Sequence, residues 1–180
     1  MNQTIKKQRV LLFTDWFLPG FKGGGPIQTI AGMIDNLSDD IDFYVVTRDR
    51  DLGSTLPYPN IESEVWNKFG GAKIYYWPPT LRAKLKILNA LKNINYDIIY
   101  LNGVFSFASS VFPLFCIWIG MVKRAQMVIA PRGELSEAAL GLKPLKKRMY
   151  LAAAKYIGLH SGVLWHASSD FEKDEILVNF

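Results

Sequence analysis

The sequence predicts an α/β fold built on a doubly wound, mostly parallel sheet with helices on both faces. Short apolar runs alternate along the chain with segments of helical periodicity, a pattern typical of βαβ units. After Asp97, the run at 97–101 is continuously apolar, as expected for a strand that is covered on both faces. A glycine-rich loop at 20–25 joins the first run to the first helical segment. The sequence therefore predicts a sheet whose strand-end loops share one edge.

Six strands are predicted, at 10–14, 43–47, 72–77, 97–101, 126–130 and 162–166. Residues 48–71 form a long polar loop in this interpretation. The first helix opens at Pro26, and a helix in 78–93 carries Leu81, Leu85, Leu88 and Leu91 on one face. A third, apolar helix lies near 107–122. Ser169 and Glu172 form a capping box that opens the last helix. For the helix at Pro144–Tyr156 the predicted inner stripe is Leu145, Met149, Ala152, Ala153 and Tyr156.

Composition restricts the class of protein. A length of 180 residues fits one domain or one lobe of a larger enzyme, and 49% hydrophobic residues exclude a disordered chain. The single cysteine, Cys116, excludes an internal disulfide and is expected to be buried. With two histidines and no zinc-ligand spacing, we expect no metal and no cofactor. The net charge of +5 suits anionic partners, but no RNA-binding motif is present, so no nucleic acid partner is expected.

Two segments of the sequence bear on the cellular location of the protein. Residues 1–9 are polar and basic, and the apolar run at 10–13 is too short for a signal peptide, so a cytoplasmic protein is predicted. Residues 103–122 contain no charge and are long enough to span a membrane. Serines and Pro113 within this segment, and strands on both sides of it, favour a buried crossover helix. Membrane contact remains the alternative.

The candidate site residues follow the predicted strands. Gly23, Gly24 and Gly25 come after the first strand, where glycine permits close backbone approach and a helix start attracts anions. The loop matches neither a dinucleotide fingerprint nor a P-loop. Arg48 and Asp51, after the second strand, are either a polar wall for a hydroxyl-rich acceptor or a solvated loop with local ion pairs.

Further candidates follow the later strands. Asn102 either hydrogen-bonds a sugar or caps the next helix. Arg132 is suited to holding a phosphate and Glu134 to accepting from a hydroxyl, unless the two pair with each other. His166 ends the sixth strand, where its side chain is either a base or a packing or capping residue. The basic run Lys143, Lys146, Lys147 and Arg148 is either a solvated helix start or a contact for anionic lipid.

Several of these segments together resemble the N-terminal domain of family 4 glycosyltransferases of the GT-B fold. The likeness covers nearly the whole chain. It is carried by the segments 17–26, 47–53, 57–59, 75–76, 130–135 with Leu140, and 167–169 with Glu172. The resemblance implies that residues 1–180 are a Rossmann-like acceptor-side domain, and that the donor-binding domain is absent from this chain. The glycine loop would then face the donor diphosphate, and Asn102, Arg132, Glu134, Arg48 and Asp51 the acceptor.

The activity implied is retaining transfer from a nucleotide sugar to a glycan or lipid-linked acceptor. Family members build capsule or other surface polysaccharides, many of them at the inner membrane face. The chain alone is expected to be inactive, and its bared interface is expected to self-associate. Asn102 stands where many relatives have a histidine, so no catalytic residue is assigned. Two alternatives remain: a stand-alone module that binds an anion or nucleotide without catalysis, and a membrane-surface adaptor.

Overall fold

The computed structural model describes residues 7–180 and shows an α/β fold with a seven-stranded, mostly parallel sheet. Residues 1–6, part of the segment examined for a signal peptide, lie outside the described range. The strands are β1 Gln8–Phe13, β2 Ile41–Arg48, β3 Trp66–Phe69, β4 Ala72–Trp77, β5 Ile98–Asn102, β6 Gln126–Ala130 and β7 Leu164–Trp165. Their order in the sheet is β3-β4-β2-β1-β5-β6-β7. The predicted doubly wound fold is confirmed.

Within the described residues, six α-helices connect or flank these strands. They are α1 Gly25–Leu37, α2 Leu81–Lys92, α3 Phe112–Trp118, α4 Glu137–Gly141, α5 Pro144–Tyr156 and α6 Asp170–Asn179. A π-helical turn at Phe107–Val111 runs directly into α3, so the predicted apolar helix near 107–122 is two shorter pieces. Ser106 opens this turn by accepting from the Ser109 N–H at 3.4 Å. The predicted Cys116 burial is confirmed.

The core divides at the sheet because neighbouring strand residues point to opposite faces. Leu11 and Phe13 of β1 pack with α2, α3 and later helices, whereas Val10 and Leu12 pack with Ile30 of α1. Both faces of β1 are therefore buried, which explains its uninterrupted apolar sequence.

The predictions for the segment 48–71 and for the buried face of α2 are incomplete. The polar segment 48–71 contains β3, which pairs antiparallel with β4 through Gly70–Gly71. In α2 the buried residues are Ala83, Ile87, Leu88 and Leu91, whereas Leu81 is 76% exposed and Leu85 is 60% exposed. Leu81 is the first residue of α2. Which face of α2 is buried depends on how the helix packs against the sheet, and the spacing of the leucines does not predict that packing.

The predicted inner stripe of α5 faces solvent instead. Leu145, Met149 and Tyr156 are 71%, 64% and 91% exposed, and Ala154 is the buried residue of this helix. Helical periodicity shows that a stripe exists but does not say which surface covers it. Here the sheet is covered through Ala154, and the longer apolar side chains remain outside.

Candidate functional site

Polar side chains from the carboxyl ends of four parallel strands form one hydrogen-bonded chain. The Arg132 Nε donates to Asn102 Oδ1 at 2.8 Å, and its Nη2 donates to the Tyr100 hydroxyl at 2.9 Å. The Tyr100 hydroxyl lies 2.8 Å from His166 Nδ1. Asn102 Nδ2 in turn donates to Thr14 Oγ1 at 3.4 Å. We call Thr14, Asn102, Arg132, Tyr100 and His166 the strand-end network.

Arg132 sits in a strained turn that a buried carboxylate holds. Its φ of 57° is left-handed, which is uncommon for a residue with a Cβ. Glu172, at the start of α6, accepts from the Gly133 N–H at 2.7 Å and from the Ser168 N–H at 2.6 Å. The turn after β6 is thereby tied to the loop after β7, and Arg132 is aimed at the strand-end network.

Glu172 shows how burial and hydrogen bonding compete. Burial disfavours its charge, but bonds from Ser168 and Gly133 and the charge of Arg132 outweigh that effect and lower the pKa of Glu172. The sequence identified Glu172 as a helix cap, and Ser169 Oγ does accept from the Glu172 N–H at 3.2 Å. The Glu172 carboxylate, however, returns to Ser168 rather than to Ser169. Its tie to the Arg132 turn spans 39 residues and has no local sequence signal.

Glu134 is occupied by the backbone of the loop after β5. Its Oε2 accepts from the Val104 N–H at 2.6 Å and from the Phe105 N–H at 2.9 Å. Within residues 7–180 no ion pair joins Glu134 to Arg132, so the alternative of an internal Arg–Glu pair is not realised. Glu134 shapes the loop beside Asn102, and a direct role toward an acceptor stays a prediction.

Asp51 and Arg48 also have protein partners. The Asp51 carboxylate accepts from the N–H groups of Phe21 at 2.9 Å, Lys22 at 3.2 Å and Leu52 at 2.8 Å. These bonds overcome the opposing effect of burial and lower the pKa of Asp51. Arg48 pairs with Asp15 at 3.2 Å and lies over the Trp16 ring. Asp51 therefore holds the glycine loop in place.

The glycine loop leaves its backbone accessible where α1 begins. Gly24 has φ 71° and ψ −142°, a conformation essentially restricted to glycine. A Cβ added at Gly24 or Gly25 would meet nothing within 4 Å, whereas one at Gly23 would lie 3.0 Å from Trp16 Cβ. No side chain caps the start of α1, which spans 13 residues. Pro26 has no N–H, and the Ile27 N–H donates to the Gly24 carbonyl at 3.1 Å, so at the start of α1 the Gly25 N–H is the group open to an outside acceptor.

The basic run around α5 divides into two parts. Lys143, Lys146 and Arg148 are exposed, as the solvated interpretation and the lipid-contact interpretation both require. Lys147 is partly buried, donates to the Ala139 carbonyl at 2.7 Å and lies 4.8 Å from the centroid of the Phe105 ring. Three of the four candidate residues are therefore available to a surface, and Lys147 supports the fold.

Two cavities illustrate why size alone does not locate the site. One of about 710 Å³ is lined by Arg9, Asp42 and Ala72, at the amino-terminal ends of the strands. Another of about 620 Å³ is lined by Phe21, Lys22 and Asp51 beside the glycine loop. Ligands of open parallel sheets bind at the carboxyl ends of strands, so the second cavity is the relevant one.

Comparisons with family models, with curated proteins and with solved structures gave no match to this chain. Within residues 7–180 no three potential metal ligands cluster together. Across the same range, no helix has the length and apolar character needed to cross a membrane. The charge-free segment 103–122, examined above as a possible membrane span, consists of a π-helical turn, α3 and loops.

Proposed function

We propose that this chain is the acceptor-side lobe of a retaining glycosyltransferase that works with a nucleotide-sugar donor. One observation carries the proposal: the strand-end network and the accessible glycine loop occupy the same edge of the sheet. Such an edge offers the Gly25 N–H at a helix start for phosphate and polar side chains for hydroxyl groups. The donor would be held mainly by a second domain, and the acceptor by this one.

Arg132 supplies the positive charge that the proposal needs. Two of its five N–H groups donate to the neutral acceptors Asn102 and Tyr100. Across residues 7–180 no carboxylate oxygen lies within 4.0 Å of its guanidinium. The positive charge therefore remains available to a phosphate of the donor or of a lipid-linked acceptor.

The test uses the complete product of the source gene. We expect it to release nucleoside diphosphate from UDP- or GDP-sugars when a lipid-linked or glycan acceptor is supplied. Arg132→Ala should lower kcat/KM by about tenfold to a hundredfold, the cost of one charge-assisted hydrogen bond. Lys92→Ala removes an exposed charge from α2 and should change little. A gene ending at Phe180, or equal turnover by Arg132→Ala, would refute the proposal.

We further propose that α5 brings this lobe to an anionic membrane surface. Lys143, Lys146 and Arg148 stand at the positive end of the α5 dipole, where cations weaken a helix rather than stabilise it. Beside them lie the exposed side chains of Leu145 and Met149. Basic and apolar residues on one exposed helix are typical of helices that lie in the membrane interface.

Vesicle co-sedimentation tests the membrane proposal. Binding to vesicles containing phosphatidylglycerol should exceed binding to pure phosphatidylcholine. The double variant Lys146→Ala/Arg148→Ala should weaken binding by about tenfold or more, since each cation near such a surface contributes about 1 kcal/mol. The matched control Lys68→Ala/Lys92→Ala removes the same charge from other elements. Equal loss in both double variants would contradict a specific role for α5.

A further inference from the structure

The hydroxyl of Tyr100 joins the only charged member of the strand-end network to a histidine. Tyr100 is buried, and its hydroxyl lies 2.9 Å from Arg132 Nη2 and 2.8 Å from His166 Nδ1. The two rings meet edge to face, with centroids 5.9 Å apart. His166 entered the sequence analysis only as a lone histidine at a strand end, and Tyr100 did not enter it at all.

Hydrogen-bond valence fixes the direction of this chain. Arginine only donates, so the Tyr100 oxygen accepts from Arg132 and must place its own proton elsewhere. Within residues 7–180, His166 Nδ1 is the remaining partner of that hydroxyl. If Nδ1 instead carried a proton, the phenol proton would have no acceptor among residues 7–180, at a cost typical of an unsatisfied buried group. His166 is thereby held as the tautomer that carries its proton on Nε2.

This chain of bonds determines where the unused edge of Arg132 points. Asn102 and Tyr100 hold Nε and Nη2 and leave three N–H groups, two of them on Nη1, without a partner among residues 7–180. Both acceptors are neutral, so the positive charge is oriented without being neutralised. An arginine fork presented in this way matches the geometry of a tetrahedral oxyanion.

We propose that Tyr100 and His166 are positioning residues for Arg132, and that the three together make an oxyanion-binding site for a phosphate or diphosphate group. The inference rests on the proposed function only for the assignment of that group to a sugar donor or acceptor. Arg132 binds the anion, Tyr100 fixes the guanidinium plane, and His166 fixes Tyr100 by accepting its proton.

The tautomer can be read directly, because the chain has two histidines, His160 and His166. Long-range proton–nitrogen NMR spectra of the chain labelled with ¹⁵N-histidine should show His166 with its proton on Nε2 at neutral pH. Tyr100→Phe should shift the His166 nitrogens toward the average of the two tautomers and leave those of His160 in place. A His166 proton on Nδ1, or a His166 spectrum that Tyr100→Phe does not change, would overturn the proposal.

The anion site is tested with inorganic pyrophosphate, titrated into the 180-residue chain at low ionic strength. Arg132→Ala should weaken binding by about tenfold to a hundredfold, and Tyr100→Phe and His166→Ala should each weaken it by about three- to tenfold. His166→Asn keeps an amide oxygen near the position of Nδ1 and should restore affinity to within about twofold. Lys92→Ala, at an exposed lysine of α2, controls for general charge, and thermal unfolding confirms that each variant is folded.

The outcomes separate this inference from the proposed function. Binding that requires Arg132 and Tyr100, together with a complete gene product that transfers no sugar, would support the oxyanion site and refute the transferase. Sugar transfer by a protein that binds no pyrophosphate, or that binds it equally with Phe at position 100, would overturn the positioning roles. In an Arg132→Ala background, Tyr100→Phe should cause no further loss of affinity, because the two residues act as one unit. An additive loss would also overturn the proposal.

Discussion

At the scale of single residues, side chains that a sequence suggests for ligand binding are often already engaged by the protein. Asp51 accepts from three backbone N–H groups and Glu134 from two. Arg132 differs, because its two partners are neutral and its charge is not paired within residues 7–180. Carboxylates at this edge therefore shape loops, while the arginine is left to bind.

The glycine loop yields a prediction about two adjacent residues. Gly24→Ala should lower the free energy of unfolding by about 1 kcal/mol, because φ 71° with ψ −142° suits glycine alone. Gly25→Ala is the matched control, since it lies in the first turn of α1 and its added Cβ would meet no atom within 4 Å. Urea unfolding of both variants gives the measurement, and equal losses would contradict the strained position of Gly24.

The same geometry changes how an activity test should be read. Gly24→Val would strain the backbone as well as obstruct a ligand, so a loss of activity in that variant would be ambiguous. Gly25→Val keeps a negative φ and adds bulk at the same opening. We expect Gly25→Val to reduce transfer by the complete gene product by about tenfold while stability changes by less than about 1 kcal/mol. Unchanged turnover would place the donor phosphates away from this loop.

At the scale of elements, the sequence predicted strands better than the faces of helices. Strand residues are bounded by glycines, prolines and polar turns, and continuous apolar character identifies them as buried on both faces. The position of Asn102 and Arg132 at strand ends followed from this, so their meeting at one edge could be predicted. The contacts of Tyr100 and Glu172 with the turn at 132–133 could not be, because Tyr100 reads as an ordinary buried strand residue and Glu172 as a helix cap.

Helix α5 provides the corresponding test of a helix face. Leu145→Ser/Met149→Ser should leave the free energy of unfolding within about 0.5 kcal/mol per site, because both side chains face solvent. Ala154→Leu, on the buried side of the same helix, should cost about 1–3 kcal/mol through overpacking. Chemical unfolding compares them. A large loss of unfolding free energy in the serine variant, with little effect of Ala154→Leu, would indicate that Leu145 and Met149 are on the buried face, as the sequence predicted.

The exposed stripe also bears on self-association. Apolar side chains exposed together on one helix favour contact with another copy or another surface. Light scattering of the isolated chain should show a concentration-dependent rise in mass, and Leu145→Ser/Met149→Ser should reduce it. Monomeric behaviour of the unchanged chain at high concentration would contradict this expectation.

At the scale of the whole molecule, the positive charge is concentrated in one part of the chain. Residues 80–169 contain twelve lysines and arginines but only three acidic residues, which are Asp97, Glu134 and Glu137. This part includes Arg132 and α5, so both proposed anionic contacts fall on it. The glycine loop lies outside it and contributes a backbone N–H together with one cation, Lys22. At the carboxyl edge of the sheet, residues 80–169 therefore offer most of the positive charge, and the glycine loop offers a backbone N–H.

The last prediction concerns the stability of the whole domain as a function of pH. His160 packs among Tyr150, Trp165 and Phe180, and burial lowers its pKa from 6.5 to about 4. Between these two values the unfolded chain binds more protons than the folded one, so stability is complete above pH 6.5 and falls as the pH drops toward 4. One pH unit of separation is equivalent to about 1.4 kcal/mol, so a separation of about 2.5 units limits the loss to about 3.5 kcal/mol.

A second loss should follow below that window. Asp51 and Glu172 have lowered pKa values, so their contribution is present above the ordinary carboxyl pKa and disappears as the pH falls through the lower folded values. Urea unfolding from pH 8 to pH 3 should therefore show two stages. His160→Gln should remove the first stage, and Glu172→Gln should reduce the second. A first stage that persists in His160→Gln would place the titrating group elsewhere, because a single buried imidazole is its stated cause.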